Sequence, residues 1–420
     1  MKKRDSVIQN NLTRRGVLGA LAGSAASLTL GTRLVRSQAG GRPKPHVLVV
    51  GAGAFGGWTA LHLLRSGAKV TLVDAWGPGN ARASSGGETR NMIGMYGSSK
   101  MYVDRAARAL ELWLAHERLW DCRLYERLGA LWMMPEQEGE AGSGAGHIFA
   151  LEPGMTGIEE LSRKQAKTRY PQINFEGISW AFYERDAGYL KARYACQKVL
   201  EGFLKEGGEY RQLAVTSYRI CGGEMNDVTF ADGSQLKADI FVFACGPWLG
   251  KLFPTVIGDL VAPSRQEAYY FGTPPGDKSY SEGQLPHWVD WGDAIWYGLP
   301  AHMGKGFKVG DDTRGPAFDP TSGNRQPTEA EINRAREYIG FRFPGLKNAP
   351  FLEGRVCQYE NSPDGHYIID KHPAAQNTWI VGGGSGTAFH AGPALGEEIA
   401  GHVLEKTKPD PSLSLSRFEI

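Results

Sequence analysis

Val47-Leu48-Val49-Val50 runs without a polar residue into Gly51-Ala52-Gly53-Ala54-Phe55-Gly56, and no other stretch restricts the fold as much. A short, wholly apolar run is what a parallel strand covered on both faces requires. Beyond the glycines, Trp58 to Arg65 has helical spacing, with Leu61, Leu63 and Leu64 on the apolar face, and Gly67 ends it. Lys69 to Val73 gives a second strand that finishes at Asp74. Gly51 allows the tight turn, Gly53 lets backbone approach a pyrophosphate, and Gly56 lets helix and strand pack closely. The helix start offers free N–H groups and a positive dipole end to phosphates. Asp74 stands where a carboxylate can bond a ribose hydroxyl. Strand, helix, second strand and acid fall in register, which predicts a dinucleotide site in an α/β fold.

The 420 residues suffice for two domains, and 41% hydrophobic with 22% charged residues is ordinary for a globular enzyme. The 56 glycines follow no Gly-X-Y period and suit a chain with many tight turns. The net charge of +2 is uneven: residues 1–39 hold seven Lys/Arg and one Asp, leaving 40 basic and 44 acidic residues in the remainder. That remainder has no basic excess with which to bind nucleic acid. Residues 1–39 have the layout of a twin-arginine export signal. Arg14-Arg15 follows a polar start, Val17 to Leu30 is weakly apolar, and Ser37-Gln38-Ala39 supplies small residues for cleavage. The expected partner is the twin-arginine export machinery and the expected destination the periplasm. The apolar run is too short and interrupted for a stable membrane span. The five cysteines form no C-x-x-C pair, so their spacing supports no zinc or iron–sulfur centre and no metal ligand is assigned.

The opening motif alone does not separate NAD from FAD. Ser84-Ser85-Gly86-Gly87-Glu88-Thr89-Arg90 reads either as cover for a flat ring system, with Arg90 near its edge or the phosphates, or as a surface loop. Three later segments are more specific. Tyr297-Gly298-Leu299-Pro300 runs on to Gly306-Phe307-Lys308-Val309-Gly310. Gly354-Arg355-Val356-Cys357-Gln358-Tyr359 is followed by Asp364-Gly365-His366-Tyr367-Ile368-Ile369-Asp370. Val381-Gly382-Gly383-Gly384-Ser385-Gly386-Thr387-Ala388-Phe389-His390 closes the series. In this order the chain, over about residues 45–420, resembles the monomeric sarcosine oxidase and N-methyltryptophan oxidase family of the D-amino-acid oxidase superfamily.

The resemblance implies a Rossmann-like FAD-binding domain interleaved with a mixed or antiparallel β-sheet substrate domain. It assigns 45–130, 186–260 and 350–420 to the first and 131–185 and 261–349 to the second. It implies FAD joined covalently through Cys357. It also implies cofactor contacts from Gly51, Gly53, Phe55, Gly56, Asp74, Thr89, Arg90, Val215, Gly246, Gly383, Ser385 and Gly386. The catalytic residues it implies are Lys308, which assists O₂, with Tyr297, His390 and Arg90. Two departures stand out, because Ile93 and His390 occupy positions where the family holds a substrate carboxylate with an arginine and a lysine. Asp312 stands where the family has a histidine. Trp288 and Trp291 read either as aromatic lining for a larger, flatter or cationic amine or as strand core.

The expected activity is flavin-dependent oxidation of a secondary amine or amino acid to an imine, with O₂ reduced to H₂O₂, by a monomer. Two alternatives remain. One is a periplasmic dehydrogenase passing electrons to a quinone or cytochrome. The other is a flavin-binding protein without turnover.

Overall fold

The computed structural model describes residues 44–96, 99–135 and 157–418. The twin-arginine stretch and the Gly/Glu/Ser-rich segment 136–146 both lie outside the described residues. The apolar run becomes strand His46–Val50, the glycine loop caps helix Ala54–Arg65, and Lys69–Val73 follows as the second strand. Both strands are parallel neighbours, and Gly51 N–H donates to the Val73 carbonyl at 2.7 Å.

Two large sheets organise the chain. The six-stranded sheet runs Ile368–His372, Ala375–Gly382, Ile240–Phe243, His46–Val50, Lys69–Val73, Glu209–Arg211, and only its first pair is antiparallel. Helix Ala54–Arg65 lies against the C-terminal helix Ala388–Val403. Gly392 and Gly396 make the approach close, since a Cβ at Gly396 would stand 2.5 Å from the Trp58 backbone. The second sheet has eight mostly antiparallel strands, in the order Phe351–Asn361, Ala262–Phe271, Phe307–Asp311, Ile295–Leu299, His287–Trp291, Ala130–Pro135, Ile178–Glu184, Ile158–Ser162. Phe351–Asn361 therefore pairs with the second sheet, while the residues that follow it return to the first.

Period-two alternation gives the eight-stranded sheet a dry face and a cavity face. Trp288, Trp296, Phe307 and Val309 pack together on the dry face, beneath helix Glu329–Arg342. That helix is fastened by a buried ion pair, Arg342 to Asp290 at 2.9 Å, whose carboxylate also accepts from Tyr338. Val289, Trp291, Ile295, Tyr297 and Lys308 face the other way and line a cavity. Among the described residues no helix is long and apolar enough to cross a membrane.

Candidate active site

The parallel strands His46–Val50, Lys69–Val73 and Ile240–Phe243 end at a cavity of about 370 Å³, where Gly51, Asp74 and Ala244 stand. Ligands of open α/β sheets bind at this carboxyl edge. The three glycines divide by what constrains them. Gly51 has φ +105° and a Cβ there would lie 2.3 Å from the Ala244 carbonyl oxygen, while at Gly56 it would lie 1.9 Å from the Gly51 oxygen. Protein packing alone demands both. A Cβ at Gly53 would meet only Ser85 Oγ, at 3.3 Å, so this position guards the cradle itself. Gly53 gives helix Ala54–Arg65 no side-chain cap, and Ala54 and Phe55 border the cavity. Asp74 accepts from Ala52 N–H at 2.8 Å, Trp76 at 2.9 Å and Gly77 at 2.8 Å, which ties the strand end to the glycine loop. Burial raises its pKa against those three bonds.

Val215 and Gly246 line the same cavity, together with Trp76 and Trp248, whose rings meet at 5.0 Å. Glu360 closes it from the cysteine-bearing strand. Its Oε1 accepts from Gly384 N–H at 3.2 Å, whereas its buried Oε2 has no hydrogen-bond partner among the described residues. Burial pushes Glu360 up to about 8, so at neutral pH it is an acid with a proton to donate. A glycine cradle, an uncapped helix start and an orphaned buried carboxyl oxygen together fit a dinucleotide.

A second cavity of about 360 Å³ shares Arg90, Tyr359, Gly386 and Phe389 with the first. Three chemically active side chains meet at or beside this wall: Arg90 lines both cavities, and Cys357 and Lys308 line the second. Arg90, on strand Thr89–Met92, donates to the carbonyls of Thr89 and Ser84 and, at 3.4 Å, to Cys357 Sγ. Lys308 is only 4% exposed, and its Nζ donates to Thr89 Oγ1 at 3.1 Å. Burial, then the neighbouring Arg90, pulls Lys308 down to about 7. Tyr297 lies 5.7 Å from that Nζ by ring centroid, over Gly310, its cross-strand partner, where a side chain would strike the ring.

The far wall of the second cavity is apolar, with Ile93, Met95, Trp132 and Trp291. Trp288 is fully buried on the dry face and is core, so only Trp291 of the two contributes lining. His390 also lines this cavity, but its Nε2 is bonded to the Tyr96 hydroxyl at 2.8 Å, and burial holds it at about 4. It is therefore a neutral imidazole. Asp312 accepts from the Tyr359 hydroxyl at 2.5 Å, and Tyr359 in turn bonds Tyr297. Glu184, pushed up to about 7 by burial, fixes the wall by accepting from Gly94 N–H at 2.6 Å and Trp132 Nε1 at 3.1 Å.

Of the residues assigned to cofactor or catalysis, Gly51, Gly53, Phe55, Asp74, Val215 and Gly246 line the first cavity. Thr89, Lys308, Tyr297, Cys357 and His390 line the second, and Arg90 and Gly386 line both. Gly56, Gly383 and Ser385 line neither. Gly56 serves packing, and Gly383 (φ +68°) and Ser385 (φ 45°) shape the turn, where Ser385 Oγ donates to the Gly383 carbonyl. Sequence reasoning missed Glu360, Tyr96, Trp132 and Glu184. Glu360 directly follows the Cys-x-Tyr motif and was within reach. Glu184 depends on a strand pairing that no local pattern signals.

A family model described as FAD dependent oxidoreductase matches residues 46–401. Monomeric sarcosine oxidase of Bacillus sp. (strain B-0618) is 30% identical over 373 residues, 87% of this chain and 94% of the relative. N-methyl-L-tryptophan oxidase of Salmonella arizonae (strain ATCC BAA-731 / CDC346-86 / RSK2980) is 28% identical over 389 residues, 90% of this chain and 98% of the relative. The crystal structure of L-proline dehydrogenase from P. horikoshii has a similar fold, with TM-score 0.76 at 20% identity over 90% of this chain and 98% of that one.

Proposed function

Because the chain belongs to the FAD dependent oxidoreductase family, we propose that it oxidises the C–N bond of a secondary amine to an imine and passes the electrons to O₂, forming H₂O₂. The observation that carries this reading is the shared wall. Cys357, Arg90 and Lys308 converge where a dinucleotide cradle opens onto a mostly apolar chamber. The names of the relatives, oxidases of sarcosine and of N-methyl-L-tryptophan, support an N-substituted amine. Bound FAD supplies the two-electron chemistry, accepting a hydride equivalent from carbon next to nitrogen.

The protein's own residues then have distinct tasks. Gly53 and the start of helix Ala54–Arg65 receive the pyrophosphate, and Asp74 accepts from a ribose hydroxyl. Glu360 would offer its proton to an acceptor on the bound dinucleotide. Cys357 tethers the ring through sulfur, and Arg90, bonded to that sulfur, fixes its position. Lys308 holds a positive charge at the wall, where negative charge builds as O₂ takes electrons. Tyr297 and the apolar wall exclude water from the chamber. The paired arginines Arg14-Arg15 support export of the folded protein to the periplasm.

The test is anaerobic addition of N-methyl amines to the purified protein, followed by air, with the visible flavin band and peroxide recorded. Bleaching reversed promptly by air with stoichiometric peroxide is expected. Bleaching that air barely reverses, but a quinone does, points to the dehydrogenase. A flavin that no amine bleaches overturns amine oxidation. Colour that stays with acid-precipitated protein, and is lost in Cys357→Ser, checks the tether.

A further inference from the structure

The second cavity contains several charges, and nearly all are already engaged. Arg90 is committed to two carbonyls and Cys357 Sγ. Arg355 pairs with Glu88 at 3.0 Å and bonds the Gly86 carbonyl at 2.9 Å. Glu267 pairs with Arg265, and Lys308 lines the second cavity with its Nζ bonded to Thr89. His390 is neutral and occupied by Tyr96. Asp312 differs. Among the described residues it enters no ion pair, and one hydroxyl, that of Tyr359, is its side-chain partner, on Oδ1. The nearest arginine in sequence, Arg314, is turned to Asn361 at 2.8 Å. Ile295 and Tyr297 stand by Asp312, and Ile93, Met95, Trp132 and Trp291 line the same chamber, the two tryptophan rings 5.9 Å apart. The chamber thus offers one carboxylate without an ion pair and aromatic faces that attract cations, while its two cations without an ion pair, Arg90 and Lys308, are held by hydrogen bonds to backbone, Cys357 and Thr89.

Resting on the amine-oxidation reading, we propose that this chamber takes a cationic amine with an apolar or aromatic body and no α-carboxylate, and that Asp312 is the residue that binds its ammonium. Tyr359 holds the carboxylate in place through Oδ1 and leaves Oδ2 to the ligand. The aromatic rings take the body. An α-carboxylate would bring a second anion beside Asp312 and bury it against Ile93 without a partner, which is costly.

Two matched pairs test this on the intact flavin-loaded protein: N-methyl-2-phenylethylamine against N-methyl-L-phenylalanine, and N-methyltryptamine against N-methyl-L-tryptophan. Members of a pair differ only by the carboxylate. Binding is read from perturbation of the visible flavin band, and reduction from bleaching without air. The amines should bind about 10- to 100-fold more tightly than the amino acids, the range expected for burying one charged group without its hydrogen-bond partner. Asp312→Asn should weaken the amines about 10- to 100-fold and shrink that advantage, since it removes the anion that attracts the ammonium of all four compounds and repels the α-carboxylate of two. Ile93→Arg should tighten the amino acids about tenfold or more, and it decides the matter if Asp312→Asn loses its flavin. Equal or tighter binding of the amino acids by the unaltered protein overturns the proposal, as does binding of none of the four. If the amines bind through Asp312 but none bleaches the flavin, the site stands and amine oxidation falls. If amino acids bind best and bleach, amine oxidation stands and the site falls.

Discussion

Lys308 and Glu360 are buried ionisable groups with opposite consequences for pH. Burial and Arg90 bring Lys308 down to about 7, so its positive charge is present below that pH and lost above it. Reoxidation of the reduced flavin by O₂ should accordingly slow as pH rises through about 7. In Lys308→Met it should be roughly 100-fold slower and nearly flat with pH, while the anaerobic reduction rate changes little. Stopped-flow measurement of the two half-reactions separates these effects. Glu360 rises from 4.5 to about 8, so between those values the folded chain keeps a proton that the unfolded chain has released. Its share of stability is therefore full at low pH and is lost as pH rises through about 8. Glu360→Gln keeps a donor and removes the titration. Its Tm relative to the unaltered protein should climb from pH 5 to pH 8, and a difference independent of pH would refute the assignment. Lys308 was legible because its motif is distinctive. Glu360 could be placed by its position after the Cys-x-Tyr motif, but its isolation could not, because that comes from the approach of Gly384 and Gly246, distant in sequence.

At the scale of elements, the glycine loop predicts two kinds of failure. Gly51→Ala forces a Cβ against the Ala244 carbonyl at a positive φ and should cost at least about 2 kcal/mol of stability, seen as a lowered Tm. A Cβ at Gly53 meets only the Ser85 hydroxyl, so in Gly53→Ala the fold should survive while the ratio of flavin to protein absorbance falls severalfold. The helix Glu329–Arg342 gives a third case. Arg342→Ala leaves the buried Asp290 carboxylate without its cation and should cost about 3–5 kcal/mol by chemical denaturation. The strand–helix–strand unit could be read in advance because its pattern is local and each period is distinct. Trp288 and Trp291 also carried a readable signal. Three apart on one strand, they must face opposite ways, so they cannot both be lining or both be core. The order of the eight strands was not readable, since alternation assigns faces but never neighbours.

For the whole molecule, the first cavity draws its walls from Val50 to Phe389, so a bound dinucleotide touches segments from both sheets and from the turn after Gly382. The cysteine-bearing strand belongs to the eight-stranded sheet and the glycine loop to the six-stranded one, so cofactor and fold are thermodynamically linked. The family and its fold were legible because motifs survive at 30% identity, whereas the chamber that chooses the substrate is assembled from single side chains with no motif of their own. The linkage makes a measurable prediction. Cys357→Ser lacks the tether, so its flavin exchanges with solution, and its Tm should rise with added FAD. Free ligand at about 100 times Kd stabilises by roughly 2.7 kcal/mol. For a chain this size that is several degrees, with one transition because both sheets unfold together around the ligand. With the tether proposed at Cys357, the unaltered protein should show no dependence on added FAD. A variant Tm indifferent to FAD would mean that the cradle does not bind the dinucleotide across both sheets.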